Sequence, residues 1–199
     1  MPPSRGTLME PLDRDAFRSF VSRNATMASV TGSRHVAFAA MLDGLDPLVR
    51  AGEGAAMASG LPRIVGTAMQ AFGWDWNGFY VRGQDDRLHL GPAHGPPVCT
   101  PLEASDGGLG AGMCWDCIAT GQTLAVHDVE EWPGYVLCDG PSGLATVSSI
   151  VCPVVEGVVW DLDATARIES ADVRFMDVLI RSVARFTPLR PFDFGTFGI

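Results

Sequence analysis

The chain has 199 residues, a net charge of −9 and a sequence pI of about 4.7, which excludes nucleic acid as a partner class, because such binding rests on neutralising phosphates with Lys and Arg. All 14 basic residues are arginine, and the 47% hydrophobic content supplies one ordinary core without an apolar run long enough to span a bilayer. Met1-Pro2-Pro3-Ser4-Arg5-Gly6 has no apolar segment behind it, so no secretory signal is expected; a cytoplasmic location and thiols reduced at rest follow.

Residues 1–33 are polar and irregular, with a short helix expected at Asp13–Val21, and read as an N-terminal arm. Residues 34–51 read as a helix, and Ala51–Ala58 is Gly/Ala-rich and ambiguous. Leu61, Ile64, Val65, Ala68, Met69 and Phe72 recur at i, i+3, i+4 spacing, the pattern of an amphipathic helix. Pro62 is expected in its first turn and Gly73 at its end. Trp76–Val81 reads as a strand, Gly83-Gln84-Asp85-Asp86 as a turn, and Arg87–Gly91 as the hairpin partner. Gly91–Gly112, with six glycines and four prolines, is a long loop of the kind that carries function. Cys114–Thr120 reads as a short helix closed by Gly121, Thr123–Val126 as a short strand, and His127–Ser148 as a second long loop. Ser149–Val155 and Val158–Leu162 read as strands joined tightly at Glu156-Gly157. Ser170 or Asp172 caps a final helix with Val173, Met176, Leu179, Ile180 and Val183 on its apolar face. The tail from residue 188, with three phenylalanines, is expected to drape on the surface or serve a contact. The order does not alternate as βαβ does. It predicts an α+β domain over residues 34–187, with a mostly antiparallel sheet, helices on one side, and long loops covering a small-ligand pocket on the other.

Cys99, Cys114 and Cys138 each lie in a Gly/Pro-rich stretch, where thiols are expected to be accessible. They are candidates for a nucleophile with resolving partners, for a metal site, or for no role. Cys152, in Ser149-Ile150-Val151-Cys152-Pro153-Val154-Val155, reads as a core filler. Cys114-Trp115-Asp116-Cys117 has C-x2-C spacing, and Cys99 and Cys138 could complete a four-thiolate zinc set. No second C-x2-C exists, and His35, His89, His94 and His127 show no paired ligand spacing, so no metal is expected.

An ordered set of short motifs carries a resemblance: Trp76-Asn77-Gly78-Phe79-Tyr80, Leu90-Gly91-Pro92 with Gly95 and Cys99, Gly110-Ala111-Gly112-Met113-Cys114, Asp128-Val129 with Trp132-Pro133-Gly134, Cys138-Asp139 with Ser142, Ser149-Ile150-Val151 with Pro153, and Asp161-Leu162-Asp163. Together they resemble the free methionine-(R)-sulfoxide reductases, a branch of the GAF-domain fold, over about residues 60–185. That family has a glutamate where this chain has Ser149, a glycine where it has Trp115, and commonly a histidine where it has Tyr135. The loop between Cys138 and Ser149 is also longer here.

The resemblance implies Cys138 as nucleophile, Cys99 as main resolving thiol and Cys114 as an additional exchange partner. In sulfoxide reduction a thiolate attacks sulfur while the oxygen is protonated; the resulting sulfenic acid is resolved to a disulfide. An external thioredoxin-like dithiol then restores the thiols, and no resident cofactor is needed. Asp161 and Asp163, two apart on a strand, point to one face; by themselves they read as a solvated strand end leading into the turn at Ala164-Thr165, and with the resemblance they become candidates for a proton donor or for a seat for the ammonium group of a free amino acid. Trp76 and Tyr80, four apart, share a face and suit an S-methyl group, or simply pack the core. Ser149 cannot replace a glutamate's charge, and Glu131 or Asp128 are candidates to substitute. The alternative is a non-catalytic GAF domain that senses a small molecule or redox state. The arm and the phenylalanine tail are candidate surfaces for a homodimer.

Overall fold

The computed structural model describes residues 14–104, 110–135 and 143–195. Helices α1 (Arg14–Asn24), α2 (Gly32–Ala51) and α3 (Gly54–Met69) lead into strands β1 (Trp74–Arg82) and β2 (Leu88–His94). Helix α4 (Met113–Thr120), strands β3 (Leu124–Val126), β4 (Ser148–Val155) and β5 (Val158–Ala164), and helix α5 (Ser170–Phe186) follow. The five strands form one sheet in the order β2-β1-β5-β4-β3, with every neighbouring pair antiparallel. This is the α+β architecture expected from the element order.

Period-2 alternation divides the sheet into two faces. On one, Phe79, Ile150, Cys152, Trp160 and Leu162 join the apolar sides of α1, α2, α3 and α5 in the main core. On the other, Trp76, Tyr80, Val151 and Val159 pack under α4 and the loop segments, in a second cluster with Leu88, Met113 and Cys117. Cys152 is fully buried on the helix side, as its β-branched surroundings imply.

Local differences from the sequence reading have physical causes. The Ala55-Ala56-Met57-Ala58 stretch consists of strong helix formers and buries Met57 and Ala58, so α3 starts at Gly54 and Pro62 lies inside it rather than in its first turn. The Pro62 carbonyl accepts a hydrogen bond from the buried Asn77 amide at 3.0 Å, which ties the helix to β1. Strand β2 runs on through Pro92 to His94, because an edge strand tolerates a residue with no N–H. The helix at the N-terminus is integral to the core: Phe17 and Val21 are fully buried, Phe17 meets Phe186 edge-on at 5.8 Å, and Arg18 pairs with Asp43 and with Asp46. In the tail, Phe194 is buried against Phe79 with ring centroids 4.7 Å apart, while Phe192 stays 65% exposed. A register shift between Trp74 and Trp76 breaks the alternation of β1, so Trp74 enters the main core and Trp76 the opposite face.

Candidate active site

The side of the sheet away from the four long helices carries a cavity of about 290 Å³, at the small end for ligand pockets. Its floor is polar. Ser149 of β4 stands directly across from Asp163 of β5, and Asp161 lies two residues along on the same face. All three are buried and line the cavity. The Ser149 hydroxyl donates to Asp161 Oδ1 at 3.4 Å, and the Cys114 thiol donates to Asp161 Oδ2 at 3.3 Å.

One wall is the start of α4. Gly112 precedes the helix with φ +102°, a conformation that L side chains rarely adopt, and this turn delivers Met113 and Cys114 onto the floor. Cys114 is therefore a buried residue of a first helical turn, not the exposed loop thiol its glycine-rich surroundings predict. Cys117, one turn on, is fully buried over β4, its thiol donating to the Gln122 carbonyl at 3.2 Å and to the Val151 carbonyl at 3.7 Å.

The opposite wall is the segment 99–103, laid along the edge strand. Leu88 and Leu102 exchange backbone hydrogen bonds of 3.0 and 2.8 Å, and Leu90 N–H donates to Thr100 Oγ1 at 2.9 Å. The Tyr80 hydroxyl donates to the Cys99 carbonyl at 2.8 Å, which fixes Cys99 at the cavity wall. Across the mouth, Trp115 Nε1–H donates to the Glu103 carbonyl at 3.0 Å and joins the two walls. Tyr135 enters from the second long loop.

Burial and the neighbouring Asp161 charge both push the Cys114 thiol well above its ordinary range, so it is a neutral donor at neutral pH. Cys117 is pushed up to about 12, by burial first and then by Asp161. Burial, helped by Asp161, also raises Tyr80 and keeps its hydroxyl protonated for the Cys99 carbonyl. The charged residues among the described lining, Glu103, Asp161 and Asp163, are all acidic, which favours a ligand with a cationic group. Arg87 pairs with Glu103 at 3.0 Å from outside the cavity.

Five of the candidate residues read from the sequence thus meet: Cys99, Cys114, Ser149, Asp161 and Asp163. Trp76 and Tyr80 do not line the cavity; they lie beneath it, 2% and 1% exposed, with ring centroids 6.0 Å apart. Cys138 lies outside the described residues. Cys99 is disulfide-bonded, and Cys114, Cys117 and Cys152 are free thiols. Sequence reasoning assigned no role to Met113, Glu103 or Trp115; Met113 and Trp115 flank the candidate Cys114, which is the one signal for them, and Glu103 has none. Among the described residues no group of three or more His, Cys, Asp or Glu side chains is arranged to hold a metal ion, and no helix is long and apolar enough to cross a membrane.

No family model matches the chain. It is 30% identical over 127 residues to GAF domain-containing protein A of Dictyostelium discoideum, across 61% of this chain and 75% of that protein. The chain belongs to the GAF-domain family. This GAF domain is also 32% identical over 109 residues to protein YtsP of Bacillus subtilis, covering 51% of the chain and 61% of that protein. It is 35% identical over 83 residues to the free methionine-R-sulfoxide reductase of Saccharomyces cerevisiae, covering 41% of each. These two matches span less than two thirds of either relative's length. Among solved structures, a putative GAF sensor protein from Burkholderia vietnamiensis superposes with a TM-score of 0.63 at 25% identity, over 79% of this chain and 96% of that one. A free methionine-R-sulfoxide reductase from Neisseria meningitidis, solved with its substrate, superposes with a TM-score of 0.57 at 22% identity, over 94% and 96%, and shares the fold.

Proposed function

We propose that this GAF domain reduces a small free sulfoxide of the methionine-(R)-sulfoxide type. The observation that carries the reading is the convergence of Cys99, Cys114, Asp161, Asp163 and Ser149 on one acidic cavity of small-metabolite size. The resemblance of the motif order, and the similarity to the yeast reductase, support the same chemistry.

The Cys138 thiolate attacks the sulfoxide sulfur. A proton reaches the sulfoxide oxygen from the Asp161/Asp163 floor, the oxygen passes as hydroxyl from the substrate sulfur to Cys138 Sγ while the transient S–S bond breaks, and the products are a thioether and a Cys138 sulfenic acid. The Cys99 thiol then attacks Cys138 Sγ, expels water and closes a disulfide. Two electrons from a thioredoxin-like dithiol, the natural reductant of a cytoplasmic protein, return both thiols. The acidic floor also seats the ammonium group of a free amino acid. Cys114, neutral and hydrogen-bonded to Asp161, serves as a reserve thiol for exchange with Cys99 rather than as the attacking group.

The test is NADPH consumption with thioredoxin and thioredoxin reductase, supplying free L-methionine-(R)-sulfoxide, the (S) form and a peptide-bound sulfoxide. Turnover confined to the free (R) form is expected, and Cys138→Ser abolishes it. Full activity in Cys138→Ser, or no turnover of any sulfoxide by folded, reduced protein, overturns the reading. Ser149 favours a second reading, a ligand- or redox-sensing GAF domain without turnover, because a hydroxyl stands at the floor where the resembling reductases carry an acid. A ligand retained by protein purified from cells, seen by mass spectrometry alongside absent turnover, is the mark of that alternative.

A further inference from the structure

Asp116 stands between the two cysteines of α4 and is 4% exposed. Its carboxylate belongs to neither wall of the cavity. Oδ1 accepts the Gly110 N–H at 2.8 Å, and Oδ2 accepts the Trp132 indole N–H at 3.1 Å. Gly110 lies two residues before Gly112, which precedes α4, and Trp132 follows the short 3-10 turn Val129–Glu131 of the second loop. The same two segments touch through their backbones. A Cβ on Gly134 would stand 1.9 Å from the Gly110 carbonyl oxygen, and Gly134 has φ +74°. No larger residue fits there without parting the loops. One residue beyond each contact the chain lines the cavity, through Ala111 on one side and Tyr135 on the other. Segments 110–112 and 132–135 therefore meet beside the cavity at one seam, and a single buried carboxylate holds both edges through hydrogen bonds.

We propose that Asp116 is a positioning residue that clasps segments 110–112 and 132–135 together as a roof edge of the cavity, and that the clasped roof is the ligand-binding state. The residue touches no substrate and acts only through Gly110 and Trp132. In its kinetic consequence the proposal rests on the reductase reading; in its structural consequence it does not. An asparagine at 116 presents an amide N–H₂ to one of the two donors, so that edge of the seam loses its partner. The roof is then closed in only a fraction of molecules. Apparent affinity falls by that fraction, while a saturated molecule, closed by its ligand, turns over as before.

The test compares wild type, Asp116→Asn and Trp132→Phe by iodoacetamide labelling, resolved by peptide mass spectrometry. Cys114 lies under the roof, and Cys152, buried in the helix-side core, reports global opening. The expected result is Cys114 labelled about tenfold faster in Asp116→Asn, with Cys152 as slow as in wild type. Trp132→Phe keeps the ring, loses only the N–H, and gives a smaller increase of the same kind, which serves even where Asp116→Asn does not fold. An unchanged Cys114 rate in a folded variant overturns the proposal, as does a rise in Cys114 and Cys152 together. With free methionine-(R)-sulfoxide as substrate, KM rises about tenfold and kcat stays within about twofold of wild type. A lowered kcat at unchanged KM overturns the clasp. Absence of turnover in wild type overturns the reductase reading instead, and the labelling still decides the clasp.

Discussion

Asp161 faces two donors at once, the Cys114 thiol and the Ser149 hydroxyl, and it does so at the centre of the cavity floor. Its charge is the second cause, after burial, of the raised Cys114 thiol. Asp161→Asn removes that charge, so Cys114 ionises at lower pH and its alkylation–pH profile moves to lower pH. Site-resolved labelling across pH measures the midpoint; a midpoint at or above the wild-type value contradicts the assignment. The pairing of Asp161 with Asp163 on one face was legible from their two-residue spacing, because alternation along a strand is a strong local rule. The depth of Cys114 was not. The helix from Cys114 onward was legible in the sequence, but a glycine-rich approach reads as exposed, and only the packing of α4 onto the sheet shows the thiol to be buried. Asp116 was illegible for a different reason: its partners lie 6 and 16 residues away, and no local pattern predicts them.

At the scale of elements, α1 is a structural member rather than an appendage. Phe17 is fully enclosed against Phe186, and Arg185 lies over the Phe20 ring at 5.0 Å, so the first and last long helices brace each other. Phe17→Ala is expected to cost about 3–5 kcal/mol in a urea-unfolding series, the range for an emptied aromatic site in a core. A loss below about 1 kcal/mol would mean that α1 merely rests on the domain. The helical periodicity of α3 and the strand character of β1 were readable, since one buried face imposes a pattern over many residues. The bulge that separates Trp74 from Trp76 was not readable, because an extra residue in a strand changes every later facing without altering composition. Trp76 and Tyr80 share a face as their spacing implies, and Trp76 stands directly across from Asp163, but both are covered by the second apolar cluster and so lie beneath the cavity instead of lining it.

For the molecule as a whole, stability against pH carries the mark of Asp172. Its fully buried carboxylate accepts the Glu169 N–H at 2.9 Å and meets Arg34 at 3.0 Å; burial, the largest effect, nevertheless raises its pKa above the ordinary 3.8. A folded-state pKa above the unfolded one means that folding takes up a proton between the two values. The contribution is fully present below the ordinary value and is lost as pH rises through the raised one. Asp172→Asn, which keeps an acceptor for Glu169, therefore removes a falling component: unfolding free energies measured from about pH 4 to 7 decline less, or climb more, than in wild type. Identical slopes contradict it. The sheet order has a consequence of another kind. Its centre pairs β1 with β5, and the loop segments that wall the cavity, along with α4, lie in sequence between those two strands. During synthesis, Cys99, Cys114 and Cys117 all leave the ribosome well before Val158–Ala164 does, so the chain that will form the pocket waits unfolded with its thiols in open solvent. Until β5 completes the sheet centre, no pocket exists to shield those thiols from the surrounding medium.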